Sequence, residues 1–153
     1  MSKSLKRVQS ALEGISAIVL ETGEARTAQM AADELGVEVD QIAKSIIFRG
    51  EDSGEAILFI TAGGNQVDPA KATALAGEAL GKADAALIRA QTGFAIGGVA
   101  PVGHLNPIRA FLDPRLTDFT LVWAAAGTPR HVFSVSPADL ERLSGATITN
   151  FTT

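Results

Sequence analysis

A glycine-rich segment between residues 93 and 104 is the part of the sequence best suited to chemistry by the main chain. It reads Gly93-Phe-Ala-Ile-Gly-Gly-Val-Ala-Pro-Val-Gly-His104 and holds four glycines, one proline and one histidine. Glycine adopts positive φ and lets a backbone come close to a ligand. Such a loop can present its N–H groups to an anion or to a polarised carbonyl.

The best-known loop of this kind is excluded by the residues that follow it. Gly98 and Gly103 have the spacing of a phosphate-binding P-loop, but His104 and Leu105 stand where that motif needs Lys and then Ser or Thr. The segment is therefore not a nucleoside-triphosphate loop. A purely structural bulge at Gly97-Gly98 remains the alternative to a ligand-binding role.

Lys44 is the side chain that stands out beside this loop. It opens the apolar run Lys-Ser-Ile-Ile-Phe, and strand alternation places it on the same face as Ile46 and Phe48. An ammonium group beside an apolar face suits an anionic or carbonyl-bearing ligand. The alternative is a strand-end lysine whose methylenes lie along the protein while its charge reaches water.

Side-chain nucleophiles and metal ligands are poorly represented. His104 and His131 are the two histidines, and no His-Glu-x-x-His or comparable spacing indicates a metal site. The chain has no cysteine, which excludes disulfides, thiolate nucleophiles and cysteine-based zinc sites. No Gly-x-Ser-x-Gly elbow is present. His131 is interpreted either as a hydrogen-bonded structural residue or as one that faces a ligand.

Composition indicates one compact domain, residues 1–153. The chain has 153 residues, 46% of them hydrophobic, which is enough for one sizeable core. The net charge of −4 argues against broad binding of a nucleic-acid backbone but allows the protein to grip one end of an RNA. No secretory signal or apolar run of about 20 residues is seen, so we expect a soluble, cytoplasmic protein without a membrane association.

Hydrophobic spacing and turn residues predict the elements that must position the loop and the lysine. They are a helix with Leu5, Val8, Leu12 and Ile15 on one face that ends near Gly14, a strand over 16–21, a helix from the N-cap Thr27 to Gly36, a hairpin of strands 44–49 and 56–61, a helix over 70–80 after Asp68-Pro69, a helix from Asp84 through Gln91, strands over 108–113, 119–124 and 131–135, and a last helix from Ser136-Pro137 through Leu143. Their order predicts an α+β fold in which a mixed, mainly antiparallel sheet is wrapped by helices.

Three segments together resemble the YbaK family, which includes the editing insertion domain of bacterial prolyl-tRNA synthetase and its free-standing relatives. They are the run that Lys44 opens, the segment 93–104, and Ala125-Ala-Gly-Thr-Pro-Arg-His131. The resemblance runs from about Ala25 to Phe151, with the motifs in the same order. It implies a free-standing aminoacyl-tRNA deacylase that cleaves the ester between a wrong amino acid and the 3′-terminal adenosine of a tRNA.

The resemblance also implies roles for individual residues. The family's lysine matches Lys44, and its Gly-x-x-x-Pro loop matches Gly97 to Pro101, so the catalytic group is expected to be Lys44, Gly97, Gly98 and Val99. Substrate contacts are expected from Ser45, Ile46, Thr27, Phe94, Pro101 and His131. The backbone N–H groups of the loop would stabilise the negative charge that develops on the ester carbonyl, and no side-chain nucleophile, metal or cofactor is expected.

The expected partner is the acceptor 3′ end of a mischarged tRNA, and a synthetase or the elongation machinery is a further candidate. Ser45 stands where alanine-selective relatives carry asparagine, so the expected amino acid is left as a small one such as serine, threonine or alanine. The alternative function is a non-catalytic binding module for a small ligand that resembles an aminoacyl-adenosine. The sequence leaves the oligomeric state open.

Overall fold

The computed structural model describes residues 2–153, which form five α-helices and eight β-strands. The helices are α1 (Lys3–Ala11), α2 (Ala28–Leu35), α3 (Pro69–Ala76), α4 (Ala85–Thr92) and α5 (Pro137–Ser144). The strands are β1 (Ile18–Glu21), β2 (Ala43–Gly50), β3 (Ala56–Ala62), β4 (Leu80–Lys82), β5 (Arg109–Leu112), β6 (Val122–Ala125), β7 (His131–Val135) and β8 (Thr147–Ile148). No helix in this part of the chain is long and apolar enough to cross a membrane.

Side-chain caps set where the helices begin. A serine, threonine or aspartate accepts a hydrogen bond from the first turn of every helix, at Ser2, Thr27, Asp68, Asp84 and Ser136. The predicted starts after Thr27, Asp68, Asp84 and Ser136 are confirmed. The prediction that α3 reaches Leu80 is wrong, because Gly77 takes a left-handed conformation at φ 75° and ends the helix. Leu80 then opens β4.

The strands form two sheets. In the first, β7 lies between β1 and β6 and pairs antiparallel with both. In the second, the order is β4-β2-β3-β5-β8, and β5 runs parallel to β3 and to β8. A parallel bridge between Ile42 and Trp123 connects the two sheets. The predicted α+β fold with mixed, mainly antiparallel strands is confirmed, and the short strands β4 and β8 were not predicted.

The strand β3 divides the core. All of its seven residues are buried, and alternate side chains face opposite sides of the sheet. Leu58 and Ile60 belong to the larger cluster, which also contains residues of α1 and of the glycine-rich segment. Phe59 belongs to a second cluster, where its ring packs against Phe111 and Phe151 at centroid distances of 5.2 and 5.0 Å. The predicted hairpin of β2 and β3 is confirmed, and its strand β2 lines the candidate site described below.

Candidate active site

A cavity of about 700 Å³ lies along the first half of β2. Residues 43–47 all line it, which is unusual because alternate residues of a strand point to opposite faces. The reason is that the cavity covers the edge of the strand. On that edge β4 pairs only with Phe48–Gly50, so the earlier part of β2 has β3 on one side and the cavity on the other.

The register of the hairpin decides which backbone groups of β2 point into this edge. The N–H of Gly50 donates to the carbonyl of Glu55 at 2.9 Å, so alternate residues from Gly50 backwards bond to β3. Lys44 and Ile46 are among them. The backbone N–H and C=O of Ser45 therefore point toward the cavity edge, and its hydroxyl oxygen is buried without a hydrogen-bond partner in the described chain.

Lys44 lies on the same part of β2 and lines the cavity. Its Nζ donates to the carbonyl oxygen of Gly63 at 3.3 Å. Partial burial lowers the pKa of the ammonium, and the nearby carboxylates of Asp113 and Asp40 oppose that shift. A side chain at Gly63 would overlap the carbonyl oxygen of Val39, so only glycine allows this close approach of the two backbones.

The two carboxylates near Lys44 each accept two or more hydrogen bonds from other parts of the protein. Asp113 is 2% exposed and accepts from the N–H groups of Ala62 and Arg115 and from the side-chain amide of Asn65, at 2.9 to 3.1 Å. Asp40 accepts from the guanidinium of Arg115 and from the N–H of Gly64, both at 2.9 Å. Neither carboxylate lines the cavity. They balance the charge of Lys44 and are poorly placed to accept a proton from substrate.

The charged and ionisable side chains that do line the cavity are Arg26, Lys44 and His131. No aspartate or glutamate of the described chain is among the lining residues, and no three His, Asp or Glu side chains of residues 2–153 converge as metal ligands. The lining is mostly apolar and includes the two cationic side chains of Arg26 and Lys44. Such a cavity suits a ligand that has an apolar body and an anionic or strongly polarised group.

The glycine loop forms the opposite wall of the cavity. Gly97 has φ 96° and open space around it, and Gly97 and Val99 both line the cavity. Gly98 differs, because its N–H donates to Ala95 O at 3.1 Å and its α-carbon packs against the backbone of Thr128. No hydrogen bond within the described residues engages the N–H of Gly97 or Val99. The expectation that all three residues supply free N–H groups is therefore corrected to Gly97 and Val99.

Two side chains hold the ends of this loop. Arg7 of α1 donates from Nε to Gly103 O at 3.2 Å and from Nη2 to Gly93 O at 2.8 Å. The Nε2 of His104 lies 2.7 Å from the carbonyl oxygen of Ala100 and donates to it, and burial lowers the pKa of this imidazole. Sequence reasoning missed Arg7, since nothing near α1 marks its partners about ninety residues away.

Phe94 and Pro101 are placed differently from the expectation. Phe94 is fully buried in the main core, with the guanidinium of Arg7 4.8 Å from its ring centroid. Pro101 is also buried, and neither residue lines the cavity. The helix cap at Gly93 turns the chain inward at this point, so the next side chain enters the core. These two residues support the base of the loop, and we do not assign them a contact with substrate.

His131 and Thr27 do line the cavity. The Nδ1 of His131 is hydrogen-bonded to Thr128 Oγ1 at 2.7 Å, and its Nε2 lies 3.9 Å from a carboxylate oxygen of Glu21. The hydroxyl of Thr27 caps α2 by accepting from Met30 N at 3.1 Å. Both side chains are thus oriented by the protein before any ligand binds.

The structure brings together seven of the ten predicted site residues around one cavity, namely Thr27, Lys44, Ser45, Ile46, Gly97, Val99 and His131. Gly98, Phe94 and Pro101 lie behind the wall that the loop forms. Arg26, Trp123 and Thr128 also line the cavity and were missed. Trp123 is the one tryptophan of the chain, which was a signal that sequence reasoning did not use.

Known proteins resemble this chain in both sequence and fold. The profile of the aminoacyl-tRNA editing domain family matches residues 22–143. A solved structure described as a "putative trans-editing enzyme for prolyl tRNA synthetase" is 45% identical, with a TM-score of 0.90 over 100% of this chain and 99% of the other. The "hypothetical protein APE2540" is 25% identical, with a TM-score of 0.86 over 96% of this chain and 99% of the other.

A curated relative supports the same grouping. The "Uncharacterized protein YwhH" of Bacillus subtilis (strain 168) is 34% identical over 118 residues, which are 77% of this chain and 74% of that protein. The matched residues 22–143 contain Lys44, the glycine loop and His131. The chain belongs to the aminoacyl-tRNA editing domain family.

Proposed function

We propose that the protein is a free-standing trans-editing enzyme that hydrolyses the ester of a mischarged aminoacyl-tRNA carrying a small amino acid. The observation that carries the proposal is the meeting, around one cavity, of the Lys44 ammonium with the available N–H groups of Gly97 and Val99. Family membership and the absence of any carboxylate among the described lining residues support a mechanism based on positioning and backbone donors.

In the proposed reaction a water molecule adds to the ester carbonyl carbon. The carbonyl oxygen becomes negatively charged, and preorganised N–H groups in a partly dry site stabilise that charge. Gly97 and Val99 are the assigned donors. The ester C–O bond then breaks, the ribose oxygen takes a proton, and the amino acid and the tRNA leave.

Lys44 is assigned to hold the ester region or the terminal phosphate by its charge. A fixed cation positions the reacting carbon against water and thereby lowers the entropic part of the barrier. The resemblance to the YbaK family implies that the substrate's neighbouring ribose hydroxyl orients the water, and we assign it that role. The carboxylates nearest to Lys44 are hydrogen-bonded to other groups of the protein.

The expectation of a small amino acid comes from the family resemblance, and Ser45 bears on which one is bound. Ala25, Ala28 and Ala31 are among the lining residues, and the Ser45 hydroxyl oxygen is buried beside the cavity without a partner in the described chain. Rotated into the cavity, this hydroxyl would pair with a polar group of the substrate, whereas a buried hydroxyl left unpaired costs about 1–3 kcal/mol. The proposed substrate amino acid is a small one such as serine, threonine or alanine.

The test is hydrolysis of a panel of mischarged tRNAs by wild type and by the Lys44→Ala, Gly98→Ala and Lys82→Ala variants. Lys82 is an exposed lysine of β4 outside the cavity and controls for loss of charge. We expect turnover of at least one small-amino-acid ester, a loss of about 100-fold or more for Lys44→Ala, and no change for Lys82→Ala. Full activity of both site variants would refute the assigned mechanism.

A non-catalytic binding module is the second candidate. It is favoured by one observation, which is that no carboxylate of the described chain lines the cavity as a general base. In that case an aminoacyl-adenosine analogue would raise the melting temperature, while wild type would hydrolyse no member of the panel.

A further inference from the structure

The positive charge of the chain is unevenly distributed. Residues 1–12 contain Lys3, Lys6 and Arg7 and no acidic residue, which is a charge of +3 and leaves −7 for the rest of a chain whose net charge is −4. Lys3–Ala11 form α1, which precedes the matched region 22–143. A basic face on an acidic protein indicates an anionic partner for that face.

The basic residues of α1 lie along one face and line a groove. Lys3, Lys6, Arg7 and Ser10 have helical i, i+3, i+4, i+7 spacing, and together with Gly103 and His104 they surround a groove of about 390 Å³. Lys3 and Lys6 are exposed, and no carboxylate of the described chain forms a salt bridge with either. Their charges are therefore available to a ligand.

The groove and the candidate active site share one loop. Gly103 and His104 form one wall of the groove, and Gly97 and Val99, a few residues earlier in the same segment, line the cavity. Arg7 ties the two ends of this segment to α1. An anionic chain that enters the cavity by its end can thus continue over the loop to the basic face of α1.

We propose that this groove, with Lys3 and Lys6 at its rim, docks phosphates of the tRNA acceptor end while the aminoacyl ester lies in the cavity. The inference rests on the proposed function, since it takes the tRNA as the ligand. The basic face of α1 would attract the phosphates that the acidic remainder of the chain repels. The contact is to the phosphate backbone, so it supplies affinity without reading sequence.

The experiment compares two double variants of equal charge change. Lys3→Gln/Lys6→Gln removes the rim charges, and Arg49→Gln/Lys82→Gln removes two exposed charges of β2 and β4 away from the groove. The ligand is an acceptor-stem RNA hairpin that has a single-stranded 3′ end and carries no amino acid. Its binding is measured at several salt concentrations by fluorescence anisotropy. Hydrolysis is measured on mischarged tRNA and on a small aminoacyl-adenosine ester.

Loss of two phosphate contacts in Lys3→Gln/Lys6→Gln should make the negative slope of log K against log salt shallower by about 1.8. The affinity should be lower by about tenfold or more at about 0.1 M salt. For Lys3→Gln/Lys6→Gln we expect KM for the tRNA to rise by a similar factor. Turnover of the small ester should be unchanged. The control pair should behave as wild type in every assay.

The docking surface is refuted if Lys3→Gln/Lys6→Gln binds the hairpin like wild type, if the control pair weakens binding equally, or if the lysine pair also loses activity on the small ester. Binding to anionic vesicles but not to RNA would refute it as well. If wild type hydrolyses no mischarged tRNA but RNA binding still depends on Lys3 and Lys6, the docking surface stands and the deacylase function fails.

Discussion

Replacing Gly98 by alanine tests whether packing of the glycine loop against the turn at Thr128 is needed for hydrolysis. The new β-carbon would lie 2.8 Å from the Cα and carbonyl carbon of Thr128. Carbon atoms at optimal separation are about 3.5 Å or more apart, so the loop must move away by roughly 0.7 Å. Both partners are main chain, and neither can rotate aside. The displaced loop carries the N–H groups of Gly97 and Val99 with it.

A displacement of about 1 Å in a positioned catalytic group costs on the order of 100-fold in rate. We therefore expect kcat on the best mischarged tRNA to fall by about 10- to 100-fold, with a stability loss of about 1–3 kcal/mol from the overpacked contact. Single-turnover deacylation gives the rate, and denaturant unfolding gives the stability.

Gly145→Ala is the matched control for this substitution. Gly145 ends α5 at φ 68° with no atom near its missing β-carbon, so alanine there costs about 1–2 kcal/mol through the backbone alone. It should leave kcat unchanged. A Gly98→Ala protein that folds and retains wild-type kcat would refute the claim that this docking positions the loop.

Four further outcomes are expected. Arg7→Lys keeps the positive charge, but an ammonium cannot contact the carbonyls of Gly93 and Gly103 and the Phe94 ring together as the guanidinium does. The free energy of unfolding should therefore fall by about 1–3 kcal/mol in denaturant titrations. An unchanged midpoint would show that these contacts of Arg7 do not stabilise the fold. Asp113→Asn places an amide donor against N–H donors in a buried site and should cost about 2–3 kcal/mol by the same measurement. Burial lowers the pKa of His104 below 6.5, so the unfolded chain binds a proton that the folded chain does not, and stability should decline as pH falls below about 6.5; His104→Gln should remove this part of the pH dependence. Burial lowers the pKa of Lys44 below 10.5, so kcat/KM should decline with rising pH before an ordinary lysine would titrate. If the Lys44→Gln variant showed the same decline at high pH, the decline would belong to another group.

Local sequence determined the helices and most strands because their signals act over a few residues. Cap residues such as Thr27 and Asp84 satisfy the first turn of their own helix, and the apolar, β-branched runs of β2 and β3 are each contained in one short segment on either side of a polar turn. β4 and β8 were missed because strands of three and two residues carry too little pattern, and they form only where a neighbouring strand offers an edge.

The sequence by itself determined the α+β fold, the family, and the pairing of Lys44 with the glycine loop as the candidate chemistry. Tertiary structure alone decided that the first half of β2 is an open edge, that Gly98 is docked rather than free, that Phe94 is buried, and that Arg7 clasps the loop. The physical reason is separation along the chain. The two partners of Arg7 lie 96 and 86 positions away, and contacts of that range depend on how sheets and helices pack, which no local pattern of residues encodes.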